Sequence, residues 1–236
     1  MIKLINNEFN KIKKSKIVFI QVLFIIVIYV IHRFTNRNLD DISFNLIQFV
    51  GVIICILFSG TISSEIENGQ MRYYLTKPYK RYKIYIAKFF SILIYIIINN
   101  ITIILCVTLI NKNINYSYII KYFEYSIPIV FIGALTLYLS TKFKNSVMVA
   151  SMSIIILCFS LILAQLFFGY EINIVQYTFL PYLDFTIFSD KELISNMNKE
   201  LSINLNISRG ILINSISIMI MFILGMYKFN KKDIKS

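Results

Sequence analysis

Hydrophobic residues arrive along this chain in long uncharged blocks, at 17–31, 42–64, 89–111, 125–141, 145–170 and 210–227, separated by short charged stretches. A helix rises ~1.5 Å per residue, so ~20 residues cross a ~30 Å hydrocarbon layer. The first block is short, but it extends through His32 and Arg33, whose long polar ends can snorkel. The fourth block extends backwards to near Tyr118. Isoleucine is abundant and β-branched, which favours strands in water. Lipid reverses that preference, because an open strand leaves its backbone groups unpaired and a helix pairs them internally. The blocks do not alternate in polarity, as strands of a membrane barrel would. The expected fold is therefore all-α: a polytopic membrane protein of about six transmembrane helices, in one domain over residues 1–236. Before the first block, Ile2, Ile5, Phe9 and Ile12 recur at helical spacing with lysines around them, which predicts an amphipathic N-terminal helix lying in the membrane interface.

The joints between blocks predict the remaining organisation. Turns are expected near 35–41, 111–115 and 142–145, and the longest segment outside the membrane over 169–208, with Leu193, Met197 and Leu201 on one interfacial helix. The formal charge of +12 raises the question of nucleic acid. The placement of the charges answers it. With the N-terminus cytoplasmic and six spans, segments 1–16, 63–88, 142–144 and 228–236 hold 17 Lys/Arg against Glu8, Glu65, Glu67 and Asp233. The opposite side holds 7 Lys/Arg and 8 Asp/Glu. That asymmetry is the positive-inside pattern, and it places both termini in the cytoplasm with lipid, not nucleic acid, as the partner. Composition agrees: 57% hydrophobic and 15% charged residues cannot clothe a soluble surface. Residues 31–34, Ile-His-Arg-Phe, offer no small-residue cleavage site, so the first block reads as a span and not as a signal peptide.

Enzymatic signatures are missing. There is no phosphate-cradling G-x-x-x-x-G-K-[ST], no H-E-x-x-H zinc pair and no G-x-S-x-G elbow. The single histidine, His32, falls at a membrane edge, and Cys55, Cys106 and Cys158 fall in three separate apolar blocks without ligand spacing. The chain thus reads as a non-enzyme with no metal or cofactor of its own. Polar residues within the spans are few. Asn99 and Asn100 sit near the middle of the third, and Glu124 lies toward the outer part of the fourth, where Lys121 can pair with it one turn away. Ionisable or amide groups at such depth are candidates for a translocation path, and the plain alternative is hydrogen bonding between helices.

The segment 62–83, ISSEIENGQMRYYLTKPYKRYK, carries the most specific signal. The second span is expected to run out of the membrane into Glu65 and Glu67 and to stop at Asn68-Gly69, since glycine accepts the left-handed conformation that ends helices. Residues 70–76 can form a short helix with Met71, Tyr74 and Leu75 on its apolar face. Pro78 turns the chain at Lys77, and helix resumes at Arg81. Two breaks on the cytoplasmic face and an apolar patch between them call for a partner, either the membrane surface or another protein.

The pattern Ile62-Ser63-x-Glu65, Gly69, Leu75-Thr76-Lys77-Pro78, Arg81, Ala87-Lys88 resembles the loop between the second and third spans of type 2 ABC-transporter permeases, most closely the bacitracin- and lantibiotic-resistance type. Gln70-Met71 and Tyr79-Lys80 depart from the residues usual there. The resemblance implies a multi-pass permease of the bacterial cytoplasmic membrane, acting in export and antibiotic resistance. It implies two partners: a separate cytosolic ABC ATPase, and a second permease to form a homo- or heterodimer. It implies that Glu65, Glu67, Gly69, Arg72, Lys77, Pro78 and Arg81 form the ATPase-coupling loop, and that the cargo is amphipathic or peptide-like. Asn99, Asn100 and Glu124 are the candidates for the path. The competing readings are a membrane scaffold or sensor subunit without an ATPase, a membrane-embedded enzyme, and a secondary transporter. The last two need buried acid–base groups or paired broken helices, which the sequence scarcely offers.

Overall fold

The computed structural model describes residues 2–13, 39–71, 80–111, 116–170, 172–185, 188, 191–200 and 203–232, with isolated positions between 19 and 30. Among these residues every regular element is helical: α1 (Ile2–Lys13), α2 (Leu39–Glu67), α3 (Arg81–Asn111), α4 (Tyr116–Lys142), α5 (Ser146–Gly169), α6 (Lys191–Glu200) and α7 (Ile207–Lys231), with 3₁₀ turns at Asn173–Tyr177 and Leu180–Tyr182. Four helices among the described residues are long and apolar enough to cross a membrane, over Leu46–Glu67, Arg81–Cys106, Ile119–Lys142 and Ile207–Lys231, and the bent helix pair within α5 makes a fifth if taken as one span. The first expected span, 17–31, lies mostly outside the described residues.

The bundle is built around α4, which packs against α2, α3, α5 and α7. Its apolar window is 72% buried, whereas that of α7 is only 17% buried, so α4 is the axis and α7 a flank. Leu212, Ile216, Ile220 and Ile223 of α7 face outward, a surface that suits lipid. Three buried hydroxyls inside the spans are satisfied within their own helices: Ser63 donates to Ser59 O, Thr136 to Ile132 O and Ser140 to Leu137 O, so these three need no water at membrane depth.

The breaks fall where the sequence places them. Gly69 ends α2 with φ +71°, the left-handed conformation expected of it. Lys142 ends α4 and Asn145 caps α5, its side chain accepting from the Val147 amide at 2.8 Å. The long segment after α5 folds back onto the bundle, burying Val175, Tyr182, Leu183 and Phe185, and Asn214 of α7 donates to the Tyr182 carbonyl at 2.8 Å.

The orientation of α1 differs from the sequence reading. Ile2 is exposed, Ile5 and Phe9 are half-buried, and the face set into the protein is Leu4, Glu8 and Ile12. The helix packs on α3. A carboxylate therefore lies at the centre of its buried stripe.

Close approach of α3 and α7 depends on one glycine. A Cβ on Gly225 would collide with the phenol oxygen and lie 2.7 Å from Cζ of Tyr85, a ring with no exposed surface. Gly225→Ala should therefore lower the melting temperature in detergent, by the equivalent of about 1–3 kcal/mol for an overpacked core. Tyr85→Leu placed on top should recover part of the loss, and additive losses in the thermal melts would show that the two residues do not compete for space.

Candidate functional site

At one end of the bundle, four charges from three helices form a closed cluster. Lys88 lies two turns into α3 and its ammonium has no exposed surface. Left alone there it would cost several kcal/mol, roughly, in desolvation. It is not alone. Its Nζ donates to Glu8 Oε2 at 3.0 Å, to Glu65 Oε2 at 2.8 Å and to the Thr61 carbonyl at 2.8 Å. An ammonium has three N–H donors, and here each has an acceptor. Lys11, at the protein's edge, bridges the other oxygens of the same two carboxylates, at 3.0 Å to Glu8 Oε1 and 2.6 Å to Glu65 Oε1. Two cations and two carboxylates thus alternate around a ring that is neutral when all four are ionised.

Local structure sets each member in place. Glu8 and Lys11 are three residues apart on α1 and so share a face. Glu65 projects inward from the last turn of α2, and Lys88 projects toward it from α3. Burial pushes the Glu8 carboxyl upward, but the adjacent Lys88 and Lys11 charges and their hydrogen bonds prevail and hold it below its ordinary 4.5. Beside the ring, a crevice of about 290 Å³ opens between α1 and α2, lined by Lys11, Ile12, Ile56, Gly60, Ser64 and Gln70 among others.

Of the residues expected in the coupling loop, Glu65 is buried in this ring, while Glu67 is exposed just beyond it. Gly69 supplies the break. Arg81 starts α3 and donates to the carbonyls of Asn230 and Lys232 at 3.3 and 2.7 Å, pinning the end of α7. Arg72, Lys77 and Pro78 lie outside the described residues, as do Tyr74 and Leu75, but Met71 of the same apolar face is fully buried in the core.

The expected path residues do not form a joint site. Asn99 is buried and donates to the Tyr95 carbonyl of its own helix at 2.8 Å. Asn100 is buried, and its Nδ2 has no acceptor among the described residues. Glu124 is half-buried, and no ion pair joins it to Lys121 among the described residues. A separate cavity of about 500 Å³ lies between α2, α5 and the segment after it, lined by Gln48, Phe49, Val52, Leu157, Cys158 and Asp184 among others. None of the three candidates lines it.

The sequence reading missed Glu8, Lys11 and Lys88 as a unit. Lys88 was the available signal: a lone cation seven residues into a span-forming helix, which requires a carboxylate nearby.

Long apolar helices around one axis, with a charge ring closing one end, define a polytopic helical membrane protein. The chain belongs to the family described as "Protein of unknown function (DUF2705)", which it matches over residues 35–235. That match takes in Glu65 and Lys88 and leaves out Glu8 and Lys11. No curated protein matches the chain.

Two outcomes test the ring. Lys88→Met removes the shared cation and leaves two carboxylates facing Lys11 alone, so it should destabilise the protein by about 3–5 kcal/mol, the cost of breaking a buried pair. A double-mutant cycle with Glu8→Gln should be strongly non-additive in chemical unfolding, and strict additivity would mean that the two groups do not interact. The second outcome is a pH dependence. The folded pKa of Glu8 lies below its ordinary value, so its contribution is complete above pH 4.5 and is lost as pH falls through the lowered value. A spin label on exposed Asn6 should gain mobility on acidification below pH 4.5 in the native protein and show no such step with Glu8→Gln.

Proposed function

We propose that this chain is the membrane-spanning permease subunit of an ATP-binding-cassette exporter in a bacterial cytoplasmic membrane. In this reading it pairs with a second permease, identical or different, and is driven by a separate cytosolic ATPase. The observation that carries the reading is the segment from Ile62 to Lys88, whose residues resemble the coupling loop of type 2 permeases. Its mechanical setting supports the same role. The loop leaves α2 at a left-handed glycine, and its two feet are joined to each other and to α1 through Glu65 and Lys88.

A loop with such feet transmits force well. Movement of an ATPase against exposed Glu67 passes to α2, α3 and α1 together, because bending the base would separate buried charges. α3 in turn packs against the axial helix α4 and, through Arg81, holds the end of α7. ATP-driven approach of two ATPase subunits would then rock two such bundles against one another and alter access to a path for an amphipathic or peptide-like cargo. Glu67 would contact the ATPase, whereas Glu65 would act from behind, by holding the loop's foot.

Affinity purification in mild detergent from the native host should recover a soluble partner carrying a G-x-x-x-x-G-K-[ST] motif. Glu67→Lys should reduce its recovery about tenfold, as loss of a charge contact at an interface does, and should leave the melting temperature unchanged. Recovery of this chain with no ATPase under those conditions would overturn the reading in favour of a scaffold or sensor subunit.

A further inference from the structure

The charge ring accounts for every ion pair among the described residues, yet the same end of the bundle carries a second group of cations that it does not touch. Lys142 and Lys144 flank the turn between α4 and α5, and Lys228, Lys231 and Lys232 end α7. One corner holds them together. The Lys232 ammonium donates to the carbonyl of Thr141 in the last turn of α4 at 2.7 Å, and Arg81 donates to the carbonyl of Lys232 at 2.7 Å. None of the five lysines has a carboxylate within 4.0 Å among the described residues.

The surroundings of these lysines favour an anion. Burial, then the charges of Lys144 and Lys228, hold the Lys232 ammonium below its ordinary 10.5, so like charges act on one another at this corner. α5 begins at Ser146, two residues beyond Lys144, and the N-terminus of a helix of 24 residues adds its positive end to the same place. Aromatic rings are interleaved with the cations: Lys142 lies 5.3 Å from the Phe143 ring centre, Lys228 5.9 Å from Tyr138 and Lys231 4.4 Å from Tyr227. Cations mixed with tyrosines at the ends of membrane-crossing helices mark the level of the headgroups. From this corner the exposed apolar face of α7, including Leu224 and Ile220, runs back along the span. A ligand that places a negative group among the lysines and hydrocarbon along α7 meets both surfaces at once.

We propose that this corner is a headgroup site for an anionic phospholipid of the leaflet at that end of the bundle. The lysine ammonium groups bind the phosphate, and its acyl chains lie along α7. The proposal is independent of the exporter reading, since it requires only that α4 and α7 span a bilayer.

The test is native mass spectrometry of the full chain released from vesicles of equal phosphatidylcholine and phosphatidylglycerol with matched acyl chains. Retained lipid should be enriched in phosphatidylglycerol, and the enrichment should fall about fivefold for each charge removed in Lys144→Gln and Lys228→Gln, neither of which takes away the Lys232 hydrogen bond to Thr141. Lys199→Gln, on α6, should retain the native enrichment. In case the variants fold poorly, the native protein gives a second readout: raising salt should strip phosphatidylglycerol before phosphatidylcholine. Equal retention of the two lipids by the native protein, or undiminished enrichment in both variants, would overturn the proposal. So would displacement of the lipid by inorganic phosphate at equal phosphorus concentration, which would mark a site for the free ion.

Discussion

One buried ammonium group governs the charged end of this protein. Lys88 has no contact with solvent, and its three donors are taken by two carboxylates and a carbonyl. The cost of desolvating a cation makes this arrangement obligatory: once a lysine stands at that depth in α3, the end of α2 must bring Glu65 and α1 must bring Glu8. Lys11 then balances the second negative charge. The position of α1 meets this requirement together with apolar burial, since Leu4 and Ile12 go in with Glu8 while Ile2 stays exposed.

Away from that end the bundle depends on contact and not on charge. In lipid there is little hydrophobic drive between helices, so close packing and small residues must serve. Gly225 lets α7 approach Tyr85, and Gly133 of the axial helix would place a Cβ 2.6 Å from Ile92 of α3. The two regimes divide the molecule: shape complementarity along the spans, and a neutral ion ring where the spans meet polar surroundings. The ring ties α1, α2 and α3 to one another, and the two glycines bring α4 and α7 against α3.

Much of this was legible in the sequence. The uncharged blocks from residue 42 onward gave the helices, Asn68-Gly69 and the 142–145 turn gave their limits, and the spacing of Leu193, Met197 and Leu201 gave α6, which ends at Glu200 with Leu201 outside the described residues, because each of these rests on local chemistry and lipid's intolerance of open backbone. The ring was not legible, for a physical reason. A helical stripe of Ile2, Ile5, Phe9 and Ile12 reads as an interfacial face only if polar neighbours point to water, and that assumption fails when a residue 80 positions away demands a carboxylate. Asn99 was marked as a path residue by its depth, and its Nδ2 donates to the Tyr95 carbonyl of its own helix, which depth alone does not reveal. The cations that end α4 and α7 were counted for orientation, whereas their convergence on one corner is a tertiary fact.

The fastenings of α3 also differ in when they can form. Glu8 and Glu65 both precede Lys88 in the chain, so a ribosome delivering the protein into a membrane has already supplied both carboxylates when the lysine arrives. The cation need not wait unpaired. Arg81 stands in the opposite position, because its acceptor at Lys232 lies 151 residues downstream. Synthesis therefore closes the ring before the contact between Arg81 and Lys232 can form. The ring can be complete while the rest of the chain is still being made, and the Arg81 contact is added to an assembly already in place.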